Sequence, residues 1–416
     1  MTRLTPSAKP ELRFNGFHGS WTICELGDYL TFKNGINADK DSYGSGYKFI
    51  NVLDIINNDF ITNELITGTV NVDKKTFEKN EVLYGDLLFQ RSSENREEAG
   101  QSNVYLDHNN SSCFGGFVIR GRAKRKYNPV FLNYLLKTDL ARKEIISKSG
   151  GSTRYNVGQD TLSEVKIYIS GDETEQQKIA DVLSAVDKKI SFLKEKHALL
   201  GQYKKGVMQK LFNQEIRFKD KYGNEFPDWQ EMPLSRLSVK VSSKNTDGSV
   251  TQVLTNSAKD GIVNQGDYFK KDIANQGNLG GYTIVEKDDF VYNPRISVLA
   301  PVGPIKRNHK GQGVMSPLYT VFRFKDQNLL DFVEQYFNTT MWHRYMHSIA
   351  NFGARHDRMN ITTSDFYALP VLIPSKEERE KIVAFIRVLG IKCEAVKKQL
   401  ELTQTFKKGL LQQMFV

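Results

Sequence analysis

The sequence predicts an α+β protein: two globular α/β domains separated by two long antiparallel coiled-coil helices, with an internal pseudo-two-fold repeat at an offset of 203 residues. Three observations predict it. Tyr203–Phe212 and Phe406–Phe415 align without a gap and share five of their ten residues. Other anchors recur upstream in the same order. Each copy closes with an apolar heptad pattern. A repeat of half the chain is far longer than the roughly 20–50 residues of a solenoid unit, so it marks a duplicated module.

The elements follow in chain order. Residues 1–20 hold a segment that completes the repeat, because Glu11-Leu12-Arg13-Phe14 matches Glu215-Ile216-Arg217-Phe218. Residues 21–171 form the first domain. Its anchors are Trp21 and Leu26, then Gly85-Asp86-Leu87-Leu88-Phe89, then Asn156-Val157 before the strand-like run Val165 to Ile169. Residues 172–213 form the first long helix and 214–375 the second domain. There Trp229 and Leu234, Asp288-Asp289-Phe290-Val291-Tyr292, and Asn360-Ile361 before Leu369 to Ile373 repeat the anchors. Residues 376–416 form the second long helix. Between the anchors the copies hardly match, so a common frame carries divergent middles. The matching segments also imply that Val416 lies near residues 11–14, making the protein almost circular.

The helices are read from their seams. Ile179, Leu183, Val186, Ile190 and Leu193 alternate steps of four and three, and so do Ile382, Ile386, Leu389, Cys393, Val396 and Leu400. That spacing is the heptad rule. Neither run contains proline, and acidic residues at Asp172, Glu173 and Glu175, and at Glu377 and Glu378, suit the positive end of a helix dipole. A helix of 40 residues spans about 60 Å and needs a partner for its apolar stripe, which its own duplicate supplies. Lys204 and Lys407 occupy one seam position. They either fix register or snorkel from frayed ends.

Composition narrows the function. No apolar run is long enough to span a bilayer and the N-terminus has no apolar signal region, so a cytoplasmic protein is expected. Cys24, Cys113 and Cys393 are widely separated, which argues against a disulfide framework or a cysteine zinc site. A net charge of +10 favours a polyanionic partner. Its foci are Arg120, Arg122 and Lys124 to Lys126; Lys306, Arg307, His309 and Lys310; and Arg355, His356 and Arg358, each read as loop. Catalytic signatures are missing. No Gly-Lys dipeptide supports a phosphate loop, and no three-glycine dinucleotide fingerprint occurs. His343 and His347 have Arg344 between them where a metalloprotease needs Glu, so an amphipathic helix packed through Trp342 and Tyr345 is expected instead. Tyr292-Asn293-Pro294-Arg295 lacks the second proline and aromatic of an adenine methyltransferase.

Two variable domains, each followed by a duplicated helix, resemble the specificity subunit of type I restriction–modification enzymes. The likeness rests on Glu11 to Phe14 with Trp21 and Leu26-Gly27-Asp28, on Gly85 to Leu88, on Gly151-Ser152-Thr153 through Asn156-Val157, and on Glu175-Gln176-Gln177-Lys178-Ile179-Ala180. The second copy departs with Glu378-Arg379-Glu380 and with Phe352-Gly353-Ala354-Arg355. The resemblance implies target-recognition domains that each read half of a split double-stranded DNA site. It implies helices that act as spacer and bind two methyltransferase subunits, and restriction subunits that join them. The partners use S-adenosylmethionine for adenine-N6 methylation, and ATP and Mg for cleavage. The chain itself binds no cofactor or metal and is non-catalytic. Arg pairs with guanine and Asn or Gln with adenine, so the candidate DNA contacts are Gln90, Arg91, Arg154, Asn293, Arg295, Lys306, Arg307, Arg355 and Arg358. Two other readings stay open: a stand-alone DNA-modifying enzyme with degenerate motifs, and a coiled-coil adaptor that binds proteins.

Overall fold

The computed structural model describes residues 9–268, 276–350 and 357–416. Contacts divide the chain into two compact units, Met1–Glu195 with Lys397–Val416, and Lys196–Val396. Each unit therefore combines one globular domain with the first part of its own helix and the last part of the other helix.

In the first unit a four-stranded antiparallel sheet runs in the order Leu30–Asn34, Val118–Ala123, Leu87–Gln90, Ser102–Val104. Thr22–Glu25 pairs with Lys166–Ile169 beside it. In the second unit the sheet runs Ser238–Lys240, Thr320–Phe324, Phe290–Tyr292, Ile305–Arg307, and Gln230–Pro233 pairs with Pro370–Ile373. The repeat thus survives as one strand order in both units. The central strands are apolar on both faces, which gives them their fully buried character. Each follows a tight turn with left-handed backbone, at Gly85 (φ 87°) and Asp288 (φ 73°). Glycine meets that demand freely, and aspartate is among the few other residues that tolerate it. Behind the turn, buried Asp86 and Asp289 accept from the backbone N–H of Leu83 and Glu286.

Those aspartates also answer the basic foci. Arg122 lies 2.7 Å from Asp86, and Arg323 lies 2.6 Å from Asp289. Arg120 and Arg122 are on the strand Val118–Ala123, and Lys306 and Arg307 on Ile305–Arg307. This corrects the loop reading for those four residues, while Lys124 to Lys126, His309 and Lys310 do follow the strands outside regular structure; Asp86 holds Arg120 and Arg122, and Asp288, Asp331 and Glu334 hold Arg307.

The long helices are Glu173–Phe212 and Lys376–Gln413. Ile179, Leu183, Ile190, Leu193, Ile382, Ile386, Leu389 and Val396 are buried, and Val186 and Leu400 half-buried. In the first unit Ile179 and Leu183 share a core with Leu410, Met414 and Phe415. In the second, Met208, Leu211 and Phe212 share one with Ile382 and Ile386. Ascending numbers meet descending ones, so the pairing is antiparallel. Lys407 is no frayed end: its Nζ lies 2.6 Å from Asp187, which also accepts from Tyr134 OH.

The arrangement at the helix ends repeats almost atom for atom. Phe415 meets Trp21 edge-on at 5.9 Å and Phe131 at 5.3 Å, while Phe212 meets Trp229 at 6.2 Å and Phe332 at 5.2 Å. Glu175, fully buried, accepts from Arg13 (2.6 and 2.9 Å), Trp21 Nε1 (3.2 Å) and Ser170 (2.5 Å). Glu378 accepts from Arg217 (3.0 and 2.8 Å) and Trp229 Nε1 (3.0 Å). Leu12 N–H bonds the Gln413 carbonyl and Ile216 N–H the Lys210 carbonyl, so residues 11–14 do lie against the end of the second helix. His343–Ile349 is a helix, with Trp342 buried and Tyr345 packed on the core as expected.

Candidate nucleic-acid interface

One cleft opens on each unit where the central strand of the sheet ends. In the first unit the chain leaves Leu87–Gln90, passes Arg91, and pairs Ser92–Ser93 with Tyr155–Asn156. In the second it leaves Phe290–Tyr292, passes Asn293-Pro294, and Arg295 bridges to Arg358. The cross-connection is the same, so Arg154 and Arg358 arrive at corresponding edges on the segments before Asn156 and Asn360.

The first cleft, about 550 Å³, is lined by Gln90, Arg154, Asn37, Asn51, Ser92, Glu94, Glu98 and the aromatic rings of Tyr43, Phe49 and Phe117. The second, about 430 Å³, is lined by Asn293, Arg295, Arg358, Thr255, Asn256, Gln265 and the rings of Tyr268, Tyr282 and Tyr319. The structure thus gathers Gln90 with Arg154, and Asn293 with Arg295 and Arg358. Gln90 and Asn293 stand at one repeat position. Asn293 is held by its own hydrogen bonds, donating to the Asn256 carbonyl and accepting from the Arg295 N–H.

Charge at the clefts is loosely held. Arg154 is 61% exposed, with Glu94 at 3.5 Å. Arg295 is 65% exposed, with Asp357 at 3.6 Å, and Arg358 shares that carboxylate at 4.0 Å. Exposed pairs of this length contribute little and exchange readily for a phosphate or a base edge.

The other candidates lie elsewhere. Arg91 donates to the Gly116 carbonyl and lines a separate hollow with Asn34, Asn156 and Gln159. Arg307 is 12% exposed and ringed by Asp288, Asp331 and Glu334. Burial works against its charge, but its bonds to Asp331 and Asp288 raise its pKa above the ordinary value. Lys306 donates to Asn338, and burial lowers its pKa. Lys306 and Arg307 are tied into the fold as strand residues and do not line the second cleft. Arg355 lies outside the described residues.

Sequence reasoning missed Asn256, which lines the second cleft, and the rim residues Phe117 and Leu318. Asn256 lies between the matched anchors, where the copies hardly align, and so gave no repeat signal. Phe117 and Leu318, 62% and 55% exposed, each precede a corresponding strand, Val118–Ala123 and Thr320–Phe324. An exposed apolar residue at matched places in both copies was the available clue.

With this geometry in view, the chain can be compared with known proteins. Residues 19–202 match the type I restriction modification DNA specificity domain. The first half of the chain is thus similar to that DNA specificity domain. A Methanocaldococcus jannaschii protein, provisionally named the type I restriction enzyme MjaX specificity subunit, is 24% identical over 411 residues, covering 94% of this chain and 92% of its own. Three solved structures share the fold. The type I S subunit of M. genitalium has a TM-score of 0.52 at 14% identity, covering 98% of this chain and 99% of its own. The HsdS subunit of Thermoanaerobacter tengcongensis has 0.51 at 15%, covering 95% and 96%. A chain from work on assembly and conformational transition of the type I system has 0.60 at 13%, covering 100% and 99%. The specificity-subunit fold therefore extends over the second copy, beyond the matched domain. No helix among the described residues is long and apolar enough to cross a membrane.

Proposed function

We propose that this chain is a specificity subunit that reads a bipartite double-stranded DNA site, one half with each cleft, and directs adenine-N6 methylation and restriction by partner subunits. The observation that carries the reading is the duplicated cleft: Arg154 with Gln90 in one unit, and Arg295 and Arg358 with Asn293 in the other, on one cross-connection. Amide and guanidinium groups are the side chains that read base edges, and a basic chain gains affinity by releasing counterions from phosphates.

A repeated surface supports two copies of a methyltransferase partner. Leu199 and Tyr203 on the first helix, and Leu402 and Phe406 on the second, stand at matched positions and are 55–61% exposed. Exposed apolar pairs one turn apart, recurring at the repeat offset, suit one partner bound twice. S-adenosylmethionine, ATP and Mg belong to the methyltransferase and restriction partners, and the assembly works in the cytoplasm.

The test is the genome-wide methylated-adenine motif before and after deletion of this gene, followed by exchange of residues 21–171 for those of a relative. Loss of one bipartite motif, and then change of one half-site only, is expected. An unaltered methylation pattern, or change in both half-sites, overturns the reading.

A further inference from the structure

We propose that Val298 and Leu299, at the tip of a two-residue hairpin beside the second cleft, enter the DNA major groove and read thymine by its 5-methyl group. The proposal rests on the DNA reading above and adds a specificity-determining contact to one half-site.

The starting point is exposure. Val298 is 97% exposed, more than any other large apolar side chain among the described residues, and Leu299 is 69% exposed. Single exposed aliphatic residues are ordinary on a protein surface. Two in succession at the tip of a rigid arm are a different matter. The tip is closed by a pair of backbone bonds, Ser297 N–H to the Ala300 carbonyl (3.0 Å) and Ala300 N–H to the Ser297 carbonyl (3.1 Å). The Ser297 hydroxyl also accepts from the Ala300 N–H. Behind the tip, Ile296 N–H bonds the Asp357 carbonyl and Met359 N–H the Pro294 carbonyl, each at 3.0 Å. Ile296 packs on the core, and Ala300 and Val302 are buried. The arm is thus fixed on both sides of its tip, and the two aliphatic side chains are the part left outside.

Position and shape decide what covers them. Arg295, Ile296 and Ser297, which lead into the tip, line the second cleft together with Arg358. Arg295 is 65% exposed, so the tip stands beside positive charge suited to a phosphate. A two-stranded ribbon enters the major groove, roughly 12 Å wide, whereas the minor groove is only roughly 6 Å wide. Aliphatic side chains carry no donor or acceptor and cannot read the polar pattern of a base edge. The thymine 5-methyl is the one apolar group that a base pair shows in the major groove. A half-site methylated on adenine contains at least one A·T pair, so the group is available there. At the repeat offset the first copy has Asn95 and Arg96, both exposed and polar. The aliphatic tip therefore has no counterpart in the first unit.

The test uses the chain in complex with its methyltransferase subunits and duplexes carrying the methylation motif. Each thymine of the half-site that exchange of residues 21–171 leaves unchanged is replaced singly by uracil, which deletes the methyl and keeps every base-pair hydrogen bond. At one or two positions uracil should weaken binding about fourfold, the worth of burying one such carbon. Val298→Ser combined with Leu299→Ser alters side chains outside the core, so the melting curve should not move. That double variant should lose at least the same factor on the thymine duplex and bind the uracil duplex no more weakly than the thymine one. Motif-specific binding that uracil weakens at none of these positions overturns the proposal. So does a uracil penalty that persists in the double variant, or a variant whose defect is loss of the methyltransferase subunits with DNA binding intact. Binding with no preference for the motif would instead remove the DNA reading beneath it.

Discussion

Lys407 Nζ lies 2.6 Å from Asp187, whereas its repeat counterpart Lys204 stands beside Gly390, where an added Cβ would be 3.4 Å from the Lys204 Nζ. Asp187 and Gly390 are themselves repeat counterparts. One unit has kept a carboxylate at this seam position and the other has none.

Gly390→Asp should therefore stabilise the second unit. It removes a glycine from a helix interior and offers Lys204 a carboxylate, together worth about 1 kcal/mol. For a unit of this size that raises the melting midpoint by about 2–4 °C, measurable by calorimetry. Asp187→Ala should do the reverse in the first unit and cost about 2–3 kcal/mol, because both Lys407 and Tyr134 OH lose their acceptor.

Glu175→Ala should cost about 3–5 kcal/mol, since it leaves Arg13, Trp21 Nε1 and Ser170 without their common acceptor in a buried site. Glu378→Ala should do the same to the second unit. Chemical denaturation of each variant should show the loss in the unit that carries it. A loss of under 1 kcal/mol would mean that the carboxylate does not organise the helix start.

The pH dependence of the first unit should carry a mark of Lys137. Burial, aided by nearby Lys407, lowers its pKa from 10.5 to about 8. Below pH 8 the ammonium is charged in both folded and unfolded chains, and the folded chain bears the full burial cost. Between pH 8 and 10.5 the unfolded chain binds more protons, so stability rises with pH. Lys137→Met should remove that rise. Urea midpoints for both proteins at pH 7, 8.5 and 9.5 check it.

Arg154→Ala should relax or weaken recognition of one half-site and Arg358→Ala of the other, each by about 1–3 kcal/mol if the guanidinium reads a base. Arg307→Ala should act differently. It strands Asp288, Asp331 and Glu334, lowering stability and leaving sequence preference unchanged. Competition binding with single-base variants of the motif, beside a melting curve, separates the two effects.

The frame was legible in the sequence because it is written twice. Heptad spacing located the helix seams, and the matched anchors around Trp21 and Trp229 located the ends of each domain. Reading charge as loop failed at Arg120, Arg122, Lys306 and Arg307, because a basic residue on a strand looks the same in sequence as one on a loop. What differs is the aspartate across the sheet. The acidic helix starts were read only as dipole partners, yet Glu175 and Glu378 are buried acceptors for Arg13 and Arg217, more than 160 residues away. Of the nine candidate contacts, Gln90, Arg154, Asn293, Arg295 and Arg358 reach the clefts through the cross-connection after the central strand, whereas Arg91 in the same connection turns to a separate hollow, and that difference shows only in three dimensions. Asn256 shows how a residue on an unmatched hairpin stays hidden from a repeat-based reading.

The packing of Phe415 on Trp21 has a consequence for synthesis. The ribosome releases residues 21–195 early, but their core lacks its last wall until residues 397–416 emerge, about 200 residues later. At 5–20 residues per second that delay is roughly 10–40 s. Lys196–Val396 is contiguous and can close as soon as it is made. The domain translated second is thus the first able to finish folding, and the earlier one waits with Trp21, Phe131 and Ile179 uncovered, the interval in which a chaperone has most to protect.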